Sequence, residues 1–311
     1  MLSRLMRRAN TVVLGAGRCE IRFHGRGAEQ LPAVLMDGPE RALAWAARGR
    51  EDEQLLTEAW AEGGAVVDLE ARRLAFWAEP FEIGLRRAAL AVVAGAWPGW
   101  RVEWVAHGAV SVARAAGLAE ESVAGDGRDL ARLSAYWPVE PPRAVRDGWR
   151  STVIVGAEVH AVHSLSCLHL AALGERLVEL VRRPAVEEIE EERDGPHELA
   201  GIGGTWDGGS LLIRRRELHV SHQDAVARDP GLLHWLMRVW SGWEVRVHAL
   251  GVPEQRARAG LDPWGAEPVE AVAARLEEAC ARALEGDAEL AGRVRARIAA
   301  WGRGAVRQLP A

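Results

Sequence analysis

The chain has 311 residues, of which 49% are hydrophobic and 27% charged, enough apolar mass for about two globular domains. Its net charge of −5 carries no global signal for nucleic acid or an anionic membrane. All 39 basic residues are arginine, which excludes lysine Schiff-base chemistry and a P-loop lysine.

The N-terminus is basic, and its apolar run Thr11–Leu14 is too short for a signal sequence. No window approaches 18 uninterrupted apolar residues, so no transmembrane helix is expected. Cys19, Cys167 and Cys280 lie far apart and form no C-x-x-C pair, which fits a reducing cytoplasm. Thr11–Gly15 and Arg18–His24 alternate around a short Ala-Gly turn and predict strands. Gly38–Gly49 has Pro39 in its first turn and Gly49 as a stop, so it predicts a helix. Glu51–Gly64, with acids first and glycines last, predicts a second helix. A hairpin over Gly64–Trp77, a helix over Phe81–Trp97, a strand over Gly99–His107 and a short helix over Ala109–Gly117 follow.

The same plan recurs. "TVVLGA" (Thr11–Ala16) returns as "TVIVGA" (Thr152–Ala157), and Gly63–Trp77 resembles Gly208–His222. The motif W-x-G-W-x-V occurs at Trp97–Val102 and at Trp240–Val245. Gly108 and Gly117 match Gly251 and Gly260. Four collinear blocks at offsets of 141 to 145 indicate two tandem domains. The tryptophans and glycines of the motif read as a helix-to-strand joint, with positive φ at Gly99 and Gly242 and the indoles folded back as core.

Between the copies, Leu118–Arg150 contains Pro138, Pro141 and Pro142 and reads as an extended linker. In the second copy, Leu168–Arg183 predicts a helix ending before Pro184, Ala185–Asp194 an acidic helix, and Gly195–Gly209 a long loop. Beyond Pro268, Val269–Gly286 and Asp287–Gly304 predict two helices, the second rich in arginine. The expected fold class is α+β: two tandem copies of one duplicated α+β domain, residues 1–118 and 151–262, with a linker at 119–150 and a helical C-terminal extension at 263–311.

The chain contains no G-x-S-x-G, H-E-x-x-H, Walker A or EF-hand motif. Histidine is concentrated in the second copy, where His160, His163, His169, His219 and His222 are candidate ligands for a divalent transition metal. Strand spacing counts against it, because His160 and His163, and likewise His219 and His222, alternate between faces. Separate structural histidines are therefore expected. The hairpin arginines Arg72 and Arg73, with Arg214, Arg215 and Arg216, are candidate contacts for a carboxylate- or phosphate-bearing partner. The favoured expectation is a cytoplasmic protein-binding or regulatory protein of an accessory, immunity-like kind, with a protein partner and neither nucleic acid nor membrane. The rival is a hydrolase, with or without metal, built on the second-copy histidines. Any site is expected in the second copy, which holds eight of the ten histidines and the longer loop.

Overall fold

The computed structural model describes residues 8–56, 61–78, 83–105, 108–119, 123–124, 149–164, 170–171, 174–182, 207–221, 236–248, 250–265, 267–284 and 286–304. The chain divides into two compact units, Met1–Asp129 with Trp264–Ala311, and Leu130–Pro263. No described helix is long and apolar enough to cross a membrane.

In the first unit, β1 (Ala9–Gly15) and β2 (Arg18–His24) form an antiparallel hairpin. Then come α1 (Gly27–Met36), α2 (Pro39–Ala46), β3 (Arg50–Asp52) and β4 (Leu55–Leu56). The hairpin β5 (Gly63–Asp68) and β6 (Arg73–Ala78) leads to α3 (Arg86–Ala96), β7 (Arg101–Trp104), α4 (Gly108–Ala115) and β8 (Val123–Ala124). The main sheet has the order β3-β2-β1-β5-β6-β7. β1 runs parallel to β5, and β6 parallel to β7, so each parallel step is bridged by helix.

Strand alternation sends Val67, Leu74 and Phe76 to a large core beneath α1 and α3, and Val12, Val66 and Ala75 to a smaller core beneath α4. Among the described residues of the helix expected over Glu51–Gly64, none is helical, and Arg50–Asp52 pairs with β2 as an edge strand. The chain's single asparagine, Asn10, holds the next turn of backbone. Its side-chain amide donates to the Leu56 carbonyl at 2.8 Å and its oxygen accepts from the Leu56 N–H at 3.0 Å. The two hydrogen bonds fix Leu56 in extended geometry, where a helix would turn it away.

The second unit repeats this topology. β9 (Trp149–Val155) and β10 (Glu158–Ser164) form the first hairpin, and β11 (Asp207–Arg214) and β12 (Glu217–Ser221) the second. α5 (Arg176–Val181), β13 (Glu244–His248) and α6 (Gly251–Arg258) complete the described elements. The sheet order is β10-β9-β11-β12-β13, with β9–β11 and β12–β13 parallel. Among the described residues, this matches the first sheet strand for strand except for the β3 edge. The helix expected over Leu168–Arg183 is broken at Gly174, whose φ is +60°; α5 begins two residues later. The acidic segment Ala185–Asp194, the loop before Asp207 and nearly all of the proline-containing linker lie outside the described residues.

The repeated tryptophan motif makes the same joint twice. Gly99 and Gly242 both have φ +78°, and the second tryptophan N–H closes the turn on the first tryptophan carbonyl at 3.1 and 3.0 Å. A glycine with positive φ in the third place is what such a turn requires. The first indole is buried in both copies; Trp97 Nε1–H donates to the Leu35 carbonyl at 2.7 Å, and Trp240 Nε1–H to the Ala171 carbonyl at 2.8 Å. The second indole stands edge-on to the first, with ring centres 4.8 and 5.0 Å apart.

The C-terminal helices α7 (Val269–Ala283) and α8 (Ala288–Gly304) are integral to the first unit. Their stripe Val272, Leu276, Cys280, Leu290, Val294 and Ile298 recurs at helical spacing and completes the large core. Cys280 sits 3.8 Å from the Met36 sulfur, and burial pushes its thiol up to about 12. Asp37 accepts from Arg293, Nη2 at 2.9 Å, and Arg41 pairs with Asp287 at 2.7 Å. Several arginines of this helix therefore face acids or carbonyls of the chain.

Candidate functional site

The two units differ most where the hairpins turn. In the first, β5 and β6 are joined by four residues, Leu69 to Arg72, and only Arg72 has positive φ. In the second, β11 and β12 are joined by Arg215 and Arg216 alone, with φ +47° and +62°. A two-residue hairpin turn with both φ positive favours Asn-Gly, and a side chain with a Cβ costs about 1–2 kcal/mol at each such position. Strain of this kind makes the turn a candidate functional position, and the first unit has one such residue in its β1–β2 turn, Ala16 at φ +50°.

This turn borders an open recess of about 440 Å³, lined by Val155, Gly156, Val178, Arg182, Ile213, Arg214, Arg215 and Trp243. Its floor is the turn end of the apolar sheet face. Arg182 extends from the end of α5, Arg214 and Arg215 from the hairpin, and Trp243 from the tryptophan joint. Arg182 Nε donates to Glu158 at 3.2 Å, and Arg214 donates through Nη1 to the Arg258 carbonyl with Glu217 4.0 Å from its Nε. Trp243 Nε1–H donates to Glu175 at 2.7 Å.

The first unit has a recess at the corresponding end, about 420 Å³, lined by Val13, Gly15, Ala16, Arg18, Glu20, Leu69 and Glu70. Val13 pairs with Val67 as Val155 pairs with Ile213, so the two recesses share a floor position, and the ladders put the first strands one residue out of step with the match of Thr11–Ala16 to Thr152–Ala157. One arginine and two acids line the first; three arginines and no acid line the second.

The opposite sheet face, beneath the short helix, has also diverged. Register places His219 where the first unit has Ala75, and His248 where it has Val105. Gln255 takes the place of Val112. His219 and His248 stack with ring centres 5.0 Å apart and share a hydrogen bond of 2.8 Å between Nδ1 and Nε2. His219 Nε2 meets Glu217 at 3.3 Å, and Gln255 Nε2 donates to the His219 carbonyl at 3.0 Å. A neutral His219 that donates to Glu217 accepts from His248 through Nδ1, which makes one continuous chain. Burial lowers the His219 pKa against the opposing pull of Glu217. Burial, then Arg258, His219 and Arg246, lowers His248 to about 3. The hydrogen bond from His219 holds the Glu217 carboxyl below its usual range.

Both imidazoles are therefore neutral in the fold, while the unfolded chain takes up a proton on each below about pH 6.5. Acidification is expected to destabilise the protein progressively from pH 6.5 down to about 3. His248→Val, which installs the residue of the first unit, should flatten part of that slope. Urea unfolding at pH 7 and pH 5 checks this; equal slopes in variant and parent would contradict it. His24, lowered to about 4 by burial, Arg48 and Arg22, contributes in the same direction and remains in the variant.

The candidate ligands do not all converge. His160 lies opposite Val153, on the core face of the sheet, whereas His219 lies on the face beneath α6, three strands away. Strand pleating thus keeps these two from one ion. His163 belongs to β10, but its side chain lies outside the described residues, as do His169, His222 and Cys167. Among the described residues, no three His, Cys, Asp or Glu side chains group as a metal site. His219 is hydrogen-bonded to His248, 29 residues on. Only the parallel pairing of β12 with β13 brings them together, and no local spacing announces it.

The arginines also divide. Arg214 and Arg215 line the recess and Arg216 completes the turn, whereas Arg73 donates through Nε to Glu103 at 2.6 Å and through Nη1 to the Ala115 carbonyl at 3.2 Å. Register matches Arg73 with Glu217, and Arg101 and Glu103 with Glu244 and Arg246. The charge pattern of the last strand pair is inverted between copies, with opposite charges kept in reach. Arg72 matches Arg216 but has no second arginine beside it in the turn. Arg182 and Trp243 were not legible as site residues, because helix end and joint meet only in three dimensions. Comparison with family models, curated protein sequences and solved structures finds no match for this chain.

Proposed function

We propose that the chain is a protein-binding or regulatory protein of the accessory kind, with its contact surface on the second unit and the first unit as scaffold. The observation that carries this is the change of one equivalent position. A recess of mixed charge in the first unit becomes a recess edged by Arg182, Arg214 and Arg215, with Trp243 on its wall, in the second. Arginine and tryptophan are the residues enriched at energetically dominant contacts. The strained turn Arg215–Arg216 fits the same role, since an Asn-Gly pair would serve the hairpin better.

The hydrolase alternative draws on the chain Glu217–His219–His248. A His248 lowered to about 3 is a weak base at neutral pH, and His219 is only 3% exposed, so binding is favoured over catalysis. The test is capture of a partner from a lysate by parent protein and by Arg182→Glu/Arg214→Glu/Arg215→Glu, with loss of the partner expected in the variant.

A further inference from the structure

Resting on the partner-binding role proposed above, we infer that the arginine-edged recess of the second unit is a docking site for an acidic peptide segment, taking an apolar side chain on its floor and carboxylates on its rim. The floor, Val155, Val178 and Ile213, is hydrocarbon. The rim is guanidinium and indole N–H, groups that donate hydrogen bonds and accept none. An occupant must therefore present apolar surface inward and negative oxygen outward, which an acidic segment with interspersed leucines does.

The rim donors already take carboxylates of the chain itself. Arg182 holds Glu158, Arg214 has Glu217 at 4.0 Å, and Trp243 holds Glu175. Glu158 and Arg182 are both more than half exposed, so solvent screens their pair and it yields readily to an incoming carboxylate. The guanidinium fork matches a carboxylate in two parallel hydrogen bonds, which a solvated internal pair at 3.2 to 4.0 Å does not exhaust. Arg215, on the hairpin turn, adds a third cation to the same rim. A volume of about 440 Å³ lies in the range of ligand-sized clefts, larger than one carboxylate needs. The apolar floor favours a peptide, which can place a hydrocarbon side chain on it, over nucleic acid, whose affinity comes mainly from its phosphates.

The experiment uses the full chain and a fluorescein-labelled eight-residue peptide of alternating leucine and glutamate, read by fluorescence polarisation. The counterpart with glutamine for glutamate is expected to bind at least about tenfold more weakly, since charge-assisted hydrogen bonds are roughly twice as strong as neutral ones. Arg214→Gln and Arg215→Asn are each expected to weaken the glutamate peptide by a similar factor. Asparagine tolerates positive φ, so Arg215→Asn should melt at or above the parent temperature, which separates lost binding from lost folding. Equal affinity for the two peptides, or undiminished affinity in both variants, overturns the assignment. So does binding of a phosphoserine peptide or a single-stranded oligonucleotide without binding of the glutamate peptide. If the variants still lose the lysate partner while no glutamate peptide binds, the carboxylate assignment fails and the partner-binding role stands. If the peptide binds and lysate capture ignores the arginines, the reverse holds.

Discussion

Truncation before Trp264 is expected to unfold the first unit, although it removes only residues that look like a tail. Val272, Leu276, Cys280, Leu284, Leu290, Val294 and Ile298 are all buried in the large core with α1 and α3. Burial of each large apolar side chain contributes about 1.5–3 kcal/mol, so their joint loss is as large as the 5–15 kcal/mol that typically holds a domain folded. The outer surfaces of α1 and α3 would face water, and Asp37 would lose Arg293. Residues 1–263, followed by circular dichroism and amide exchange, should show protected amides only in the second unit. A first unit that keeps native protection without α7 and α8 would show that these helices merely decorate it.

Trp240→Ala and Trp97→Ala are each expected to cost about 3–5 kcal/mol, the range for deleting a buried aromatic. Each removes an indole packed edge-on against its neighbour and leaves a buried carbonyl, Ala171 or Leu35, without its donor. Phenylalanine at either position keeps most of the volume and should cost about 1–3 kcal/mol, mainly for the orphaned carbonyl. Urea unfolding of the full chain measures both. A cost below about 1 kcal/mol for either alanine would mean that the repeated motif was retained for a purpose other than packing.

Elements whose signal is local were legible in the sequence. Both hairpins, α2, α3, β7, α4 and the C-terminal helix pair follow from alternation, helical spacing and glycine or proline punctuation. The duplication was legible because the joint Trp97–Trp100 needs the same residues wherever it is built. Two errors have a common physical origin. Helix α1 escaped notice because Pro32 sits within it, yet eight of its residues are buried and tertiary packing outweighs the missing N–H. The helix assigned to Glu51–Gly64 had suitable composition, but a strand partner in β2 and the Asn10 clamp decided otherwise.

The site was half legible. Arg214, Arg215 and Arg216 stood out as a run, but Arg182 and Trp243 reach the same recess from elements about 30 residues away on either side in sequence. The histidine enrichment of the second copy was plain, while the one described pair, His219 with His248, depends on strand register. The inverted charges at Arg73, Arg101 and Glu103 against Glu217, Glu244 and Arg246 become visible only when the two ladders are matched pair by pair.

The most direct measurement of the central claim, that a duplicated fold keeps its contact surface on one copy, compares two reciprocal proteins in the lysate capture. One carries Arg182→Glu, Arg214→Glu and Arg215→Glu in the second unit; the other carries Arg18→Glu with Glu20→Arg and Glu70→Arg around the equivalent recess of the first. Loss of the partner in the first protein alone, with both melting like the parent, is the predicted result. Equal recovery by both, or loss only when the first unit is altered, would contradict it.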